Sequence, residues 1–153
     1  MSKRIYYYEG GYKYQLALDY ALQTRIIPPS PIHHDYFMLD MSGYLVIRKG
    51  YAWDGASGPT IDTSDSMRGS LVHDVLYQMI GHKLLPIEYR EAADYLFYDI
   101  LREDGMVDFR AWAWLRAVRA FGHGPAVADE KPMKVAPMQP EYAKQAKFGM
   151  ANP

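Results

Sequence analysis

Two kinds of hydrophobic periodicity occupy separate halves of this chain, and their order constrains the fold more than any other sequence feature. Residues 4–53 read as strands; from Tyr12 to Leu18, for example, large apolar side chains alternate with others. Residues 66–121 have the longer spacing of helices. Because the strands precede the helices and do not alternate with them, we expect an α+β fold. It should consist of a small antiparallel N-terminal sheet packed against about three helices.

Turn and capping residues set the boundaries of these predicted elements. Gly10-Gly11 is typical of a hairpin turn, and Met41-Ser42-Gly43 predicts a second hairpin between residues 32–40 and 44–49. Residues 28–31, Pro-Pro-Ser-Pro, form a connection because proline cannot enter a sheet interior. The predicted helices run from an N-cap at Ser66 to about Ile80, from Pro86 to about Arg102, and from Phe109 to Phe121.

The chain is long enough for one domain, which we place at residues 1–124. Residues 125–153 hold five of the ten prolines and little periodicity, so they are predicted to form an extended tail. This tail still has apolar side chains such as Tyr142 and Phe148. It is therefore either a disordered terminus or an arm that becomes ordered against a partner.

Composition excludes several classes of protein. The chain has no cysteine, which rules out disulfides, thiolate metal sites and a cysteine nucleophile. Its formal net charge of -1 argues against a dominant phosphate-binding surface. There is no apolar run of the length of a membrane span, and we expect no signal peptide at the N-terminus. The 14 tyrosines against 5 phenylalanines indicate surfaces that are half apolar and half hydrogen-bonding.

The first motif that could carry chemistry is a turn-rich stretch at residues 51–59. It combines Trp53, Asp54 and Ser57 with Gly55 and Gly58. Asp54 could simply bond nearby backbone amides and hold the loop in shape. Alternatively, the loop presents Asp54 and Ser57 into a pocket that Trp53 also lines. A nucleophilic role for Ser57 is not favoured, because the nucleophile-elbow sequence is missing.

The second motif places four polar side chains on one face of the first predicted helix. Ser70, His73, Asp74 and Tyr77 share an arc of roughly 100°. His73 can change protonation near neutral pH, and Asp74 can accept a bond from an imidazole or help to bind a metal ion. Because neighbouring residues on a helix rarely bond each other well, we expect the partners of His73 and Asp74 to lie elsewhere.

The third motif, Arg90 to Asp94, allows two interpretations. The two residues have the i, i+4 spacing of an exposed ion pair, which would contribute only a few tenths of a kcal/mol. Alternatively, Asp94 faces His73 across two helices that a short loop makes antiparallel neighbours.

The third predicted helix contains Trp112 and Trp114, which cannot share one helix face. We expect one of them to pack on the sheet and the other to be partly exposed or covered by the tail. Arg110, Arg116 and Arg119 are interleaved with these aromatic residues, a pattern that can indicate nucleic-acid binding. The overall charge argues against that function.

The order and spacing of the three motifs resemble those of a family of small phage and prophage proteins catalogued as a domain of unknown function, DUF1353. The resemblance rests on Trp-Asp-Gly-Ala-Ser at 53–57, Ser-x-x-His-Asp-x-x-Tyr at 70–77 and Arg-x-x-Ala-Asp at 90–94, and it extends over roughly residues 11–105. It implies a phage or prophage origin, but it supplies no reaction.

Two classes of function are compatible with this sequence. In the first, which we favour, the protein is a virion or tail-associated structural or assembly component. It binds other phage proteins through its surface and tail, without a cofactor, in the virion or the host cytoplasm. In the second, it is a small hydrolase assisted by one divalent metal ion. Asp54, His73 and Asp74 would then carry the chemistry, and Trp53, Ser57, Ser70, Tyr77 and Asp94 would line the pocket. Both require Asp54 and His73 to converge.

Overall fold

A computed structural model of the chain describes residues 5–7, 14–53 and 65–121, with side chains for the last two ranges except Phe121. The strands form one compact unit and the helices a second, and each is described by itself below. The α+β class is confirmed, with three helices and with two small antiparallel sheets where one was expected. The Gly10-Gly11 turn and the predicted tail after residue 124 lie outside the described residues.

The first sheet has three strands in the order β1-β2-β7. These are Ile5–Tyr7 (β1), Tyr14–Leu16 (β2) and Ala52–Trp53 (β7), and all their pairings are antiparallel. Backbone bonds from Leu16 to Tyr51 and from Gly50 to Leu16 extend the pairing of β2.

The second sheet has four strands in the order β3-β6-β5-β4. Its members are Tyr20–Gln23 (β3), Ile32–His33 (β4), Phe37–Leu39 (β5) and Tyr44–Ile47 (β6). On β5 and β6 every second side chain is fully buried, and the buried residues face each other across the register as Phe37 with Ile47 and Leu39 with Leu45. This strand-period burial is the pattern that predicted the hairpin.

The β5–β6 hairpin turns at Met41-Ser42-Gly43, as predicted. Asp40 organises the turn, because its Oδ1 accepts bonds from the backbone N–H and the hydroxyl of Ser42 and from the N–H of Tyr44. The Ser42 hydroxyl bond lowers the pKa of Asp40. Gly43 has a positive φ of 85°, and a Cβ there would lie 2.5 Å from the carbonyl oxygen of Thr24. This turn therefore requires glycine.

The three helices of the second unit are Met67–Gly81 (α1), Arg90–Glu103 (α2) and Asp108–Phe121 (α3). A 3-10 turn, Ile87–Tyr89, follows Pro86 and precedes α2, so the predicted second helix begins with a tighter turn. Ser66 precedes α1 as expected, but its side chain makes no capping hydrogen bond.

Helices α1 and α2 end in the same backbone motif built on different residues. After α1, Lys83 N–H bonds the carbonyl of Ile80 and the next N–H bonds that of Met79. After α2, Gly105 and the residue that follows it make the equivalent pair of bonds. Both are Schellman motifs, which place the central residue at positive φ: 60° for Lys83 and 98° for Gly105. The end of α1 at Gly81 lies one residue beyond the predicted end at about Ile80.

The core between α2 and α3 is apolar. It contains Phe97, Leu101, Met106, Ala111, Trp114, Leu115 and Val118. The ring of Trp114 lies 6.1 Å from that of Phe97, so this tryptophan packs against α2. The packing of a tryptophan on the sheet stays a prediction. Trp112 is 48% exposed. Among the described residues, no helix is long and apolar enough to cross a membrane.

Candidate functional site

The structure describes only part of the first motif. Trp53 ends β7 and is buried, with its ring 5.6 Å from that of Tyr14 and 6.5 Å from that of Tyr51. Asp54 and Ser57 lie outside the described residues. The convergence of Asp54 with His73 therefore stays a prediction.

Helix α1 carries the four residues of the second motif, of which two make hydrogen bonds within α1 and two make hydrogen bonds to α2. The hydroxyl of Ser70 donates to the backbone carbonyl of Met67, 2.9 Å away, within the same helix. Asp74 accepts a 3.3 Å bond from Gln78 one turn further on. His73 and Tyr77 instead point toward α2. His73 and Asp74 therefore bond other residues and not each other, as predicted.

His73, Asp94 and Tyr77 form a polar triad that joins α1 to α2. His73 Nε2 lies 2.7 Å from Asp94 Oδ1, and the Tyr77 hydroxyl donates to the same oxygen at 2.6 Å. Asp94 is 1% exposed and His73 is 8% exposed. The expectation that Asp94 faces His73 across the helices is confirmed. The alternative of an exposed ion pair is wrong for Asp94, because its carboxylate is buried.

The triad fixes how His73 carries its proton. An ionised carboxylate can only accept hydrogen bonds, so Nε2 of His73 must be the donor to Asp94. In a neutral ring Nδ1 then has the lone pair. In the described part of the chain Nδ1 has no hydrogen-bond partner. The ring is held from the sides by Tyr77 and Phe97, whose ring centroids lie 4.1 and 5.1 Å away.

The electrostatics of the triad keep Tyr77 neutral. Burial raises the pKa of its hydroxyl far above the ordinary value, and the bond to Asp94 and the charge of that carboxylate raise it further. The phenol therefore stays a donor to Asp94 across the physiological pH range.

A surface depression of about 220 Å³ reaches the edge of the triad. It is lined by Ile87, Glu88, Arg90, Glu91, Asp94 and Arg119. Arg119 on α3 lies 3.7 Å from the carboxylate of Glu91 on α2. The rim therefore carries charges of both signs, and Asp94 is the triad member that lines it.

The described residues offer no ready metal centre. Among residues 14–53 and 65–121, no group of three or more histidine, aspartate or glutamate side chains could hold a metal ion. His73 and Asp94 alone supply one nitrogen and one carboxylate, which is short of the four ligands typical of zinc.

Comparison of the sequence with protein-family models identifies the family. A model described as "Protein of unknown function (DUF1353)" matches residues 30–118. The chain belongs to this family. The DUF1353 match contains all three motifs. It begins later than the roughly 11–105 expected from the motifs, and it ends later, within α3. Comparisons with curated proteins and with solved structures find no match.

Sequence reasoning missed the contribution of α3 to this region. Arg119 reaches the depression, but from the sequence it was considered only for nucleic-acid binding. Phe109 is 81% exposed and was not considered for any site. Phe109, Trp112 and Arg116 have the i, i+3, i+7 spacing of a single helix face, so the signal was present. That face went unnoticed because apolar spacing of this kind is usually the core face of a helix.

Proposed function

We propose that this DUF1353 chain is a phage or prophage protein that acts as a virion or tail-associated structural or assembly component. Its task is to bind other phage proteins, in the virion or in the host cytoplasm before assembly. The motif resemblance supports the phage origin, and the geometry of the triad supports a structural role over a catalytic one.

The burial of His73 and Asp94, bonded to each other within the triad, is the observation that carries this proposal. An enzyme needs its reactive groups to converge at an open cleft with room for a substrate. Asp94 is 1% exposed, and its Oδ1 is occupied by two donors from α1. Neither His73 nor Tyr77 lines the adjacent depression. A largely buried polar network in which two side chains of one helix share an acceptor on the next favours a unique packing of the two helices.

Mass spectrometry of purified particles tests the proposal. Particles from a host that carries the gene are separated from free protein on a density gradient, and the chain is quantified relative to a known structural protein. We expect a constant ratio across the particle fractions. Absence of the chain from particles, with the chain present in the lysate, would contradict the proposal.

A metal-assisted hydrolase is the second candidate, and one observation favours it. The Asp94 carboxylate holds Nε2 of His73, which leaves Nδ1 available for a proton or a metal ion. Asp54 and Asp74 would be the further ligands or acid–base groups, and Ser57, Ser70 and Tyr77 would orient the substrate. Elemental analysis tests this candidate. A stoichiometric metal that is lost in His73→Ala would support it, and a metal-free chain that assembles normally would remove the metal-assisted version.

A further inference from the structure

A stripe of aromatic and arginine side chains runs along the exposed side of α3. Phe109, Trp112, Arg116 and Arg119 fall within an arc of about 80° and span about 15 Å. Phe109 is 81% exposed and Trp112 is 48% exposed. We call these four residues the α3 stripe.

The stripe differs from scattered exposed apolar residues, which are normal on any protein surface. Phe109 and Trp112 are neighbours on one face of α3. At the other end of the stripe, the guanidinium of Arg119 lies 5.6 Å from the ring of Tyr95 on α2. Tyr95 is itself 48% exposed. Tryptophan, tyrosine, phenylalanine and arginine are the residues enriched at the centres of protein interfaces.

The charges of the stripe indicate the kind of partner. The guanidinium of Arg116 lies 4.8 Å from the ring of Trp112, and in the described part of the chain it has no carboxylate within ion-pair distance. Arg119 makes only a long, 3.7 Å pair with Glu91. The stripe itself contains no acidic residue. Apolar rings bordered by two guanidinium groups, of which one has only a long ion pair and the other has no carboxylate partner among the described residues, are complementary to a surface that is both apolar and acidic.

We propose that the α3 stripe binds an acidic, amphipathic segment of another phage protein. Apolar side chains of that segment cover Phe109 and Trp112, and its carboxylates pair with Arg116 and Arg119. The spacing of the stripe suits a partner helix whose anchors recur every three or four residues. This inference rests on the proposed function, because it names the surface through which the chain is incorporated.

Nucleic acid and a second copy of this chain are the competing occupants. Nucleic acid is less complementary, because the stripe has only two guanidinium groups and the chain has a net charge of -1. A second copy would place two arginine-bearing stripes against each other, which like-charge repulsion disfavours.

Site-specific photo-crosslinking in phage-producing cells tests the surface directly. A benzophenone amino acid replaces Phe109 in the full chain, and a matched control carries it at Tyr44, which is 39% exposed on β6. Crosslinked peptides are then identified by mass spectrometry. We expect position 109 to crosslink to a Glu/Asp-rich segment of another phage protein with recurring apolar residues, and position 44 not to. Crosslinks from 109 to this chain itself, to nucleic acid or to nothing would overturn the inference.

Variants measure how much the stripe contributes. We expect Trp112→Ala and Arg116→Glu each to reduce the copies of the chain per particle about tenfold, whereas Met41→Ala, at a position 56% exposed on the other unit, leaves the number unchanged. Circular dichroism of the purified variants checks that they fold. If the folded variants Trp112→Ala and Arg116→Glu are incorporated into particles in the same number of copies as the wild type, the inference is overturned but the proposed function is intact. Absence of the wild-type chain from particles defeats the proposed function instead.

Discussion

Replacing Asp94 with alanine removes the acceptor on which the triad depends. His73 Nε2 and the Tyr77 hydroxyl both donate to Asp94 Oδ1, at 2.7 and 2.6 Å. A hydrogen bond to a charged group contributes roughly 1.5–3 kcal/mol, and a buried donor left without an acceptor costs roughly 1–3 kcal/mol. Because Tyr77 is only half-buried, water can satisfy its hydroxyl in the variant. We therefore expect Asp94→Ala to lower the free energy of unfolding by about 3–4 kcal/mol.

The control for this prediction lies on the same helix. Asp99→Ala removes the same charge from an exposed position of α2, and we expect a change of less than about 0.5 kcal/mol. Urea unfolding followed by far-ultraviolet circular dichroism reports the helices in both variants. If Asp94→Ala is as stable as Asp99→Ala, the triad does not hold α1 to α2 and the reasoning is wrong.

Three further predictions concern ionisation and backbone geometry. The pKa of Tyr77 is raised in the folded state, so the stability that its hydroxyl contributes is present below about pH 10, the ordinary tyrosine pKa, and is lost as the pH rises above it. In urea unfolding across that range, the free energy of unfolding of Tyr77→Phe should therefore decline less steeply with pH than that of the wild type. Lys83→Gly should raise the midpoint of thermal unfolding, because it relieves about 1 kcal/mol of left-handed backbone strain. Gly105→Ala should lower the midpoint by a similar number of degrees, because a Cβ there has open space and adds only that strain. Unchanged midpoints would contradict the strain assignment. Gly43→Ala should cost more than Gly105→Ala in the same assay, because its Cβ also meets the carbonyl oxygen of Thr24.

The helices were predictable because their ends carry strong local signals. Ser66, Pro86 and the apolar spacing placed all three helices within a few residues of their observed bounds. The left-handed residue after α1 was not predictable, because the rule favours glycine at that position. In this chain Lys83 occupies that position, and the hydrogen bonds of the Schellman motif hold it there.

The sheets were less predictable because periodicity indicates a strand but not which strands pair. The strand near Tyr14 and the hairpin at residues 41–43 were correctly predicted, but the predicted alternation was wrong, because Gln15 and Ala17 are buried together with Leu16. In addition, β2 and β3 belong to different sheets although only three residues separate them. The predicted strand at residues 32–40 is also interrupted, where the His34 N–H bonds the carbonyl of Phe37. Such breaks depend on tertiary pairing, which one sequence does not specify.

The contacts of the candidate site were also predictable only in part. Helical spacing correctly placed His73 and Tyr77 on one face, and the short connection correctly placed Asp94 opposite them. Spacing alone could not show that Ser70 and Asp74 bond within α1, because that choice depends on side-chain rotamers. The tyrosine excess indicated surfaces that are half apolar and half hydrogen-bonding, but the described tyrosines are found both in a core and on the surface. Tyr51 is in a core, and Tyr95 is on the surface.

Infectivity of phage carrying His73→Gln tests the central claim, which is that the triad is structural, most directly. The glutamine amide can donate to Asp94 as Nε2 does, but it cannot act as a base or change its charge near neutral pH. We predict near-wild-type titre, with the variant chain incorporated into particles at the wild-type ratio. Normal incorporation combined with a loss of titre of a hundredfold or more, roughly the contribution of a general base, would show that His73 does chemistry and would contradict the account.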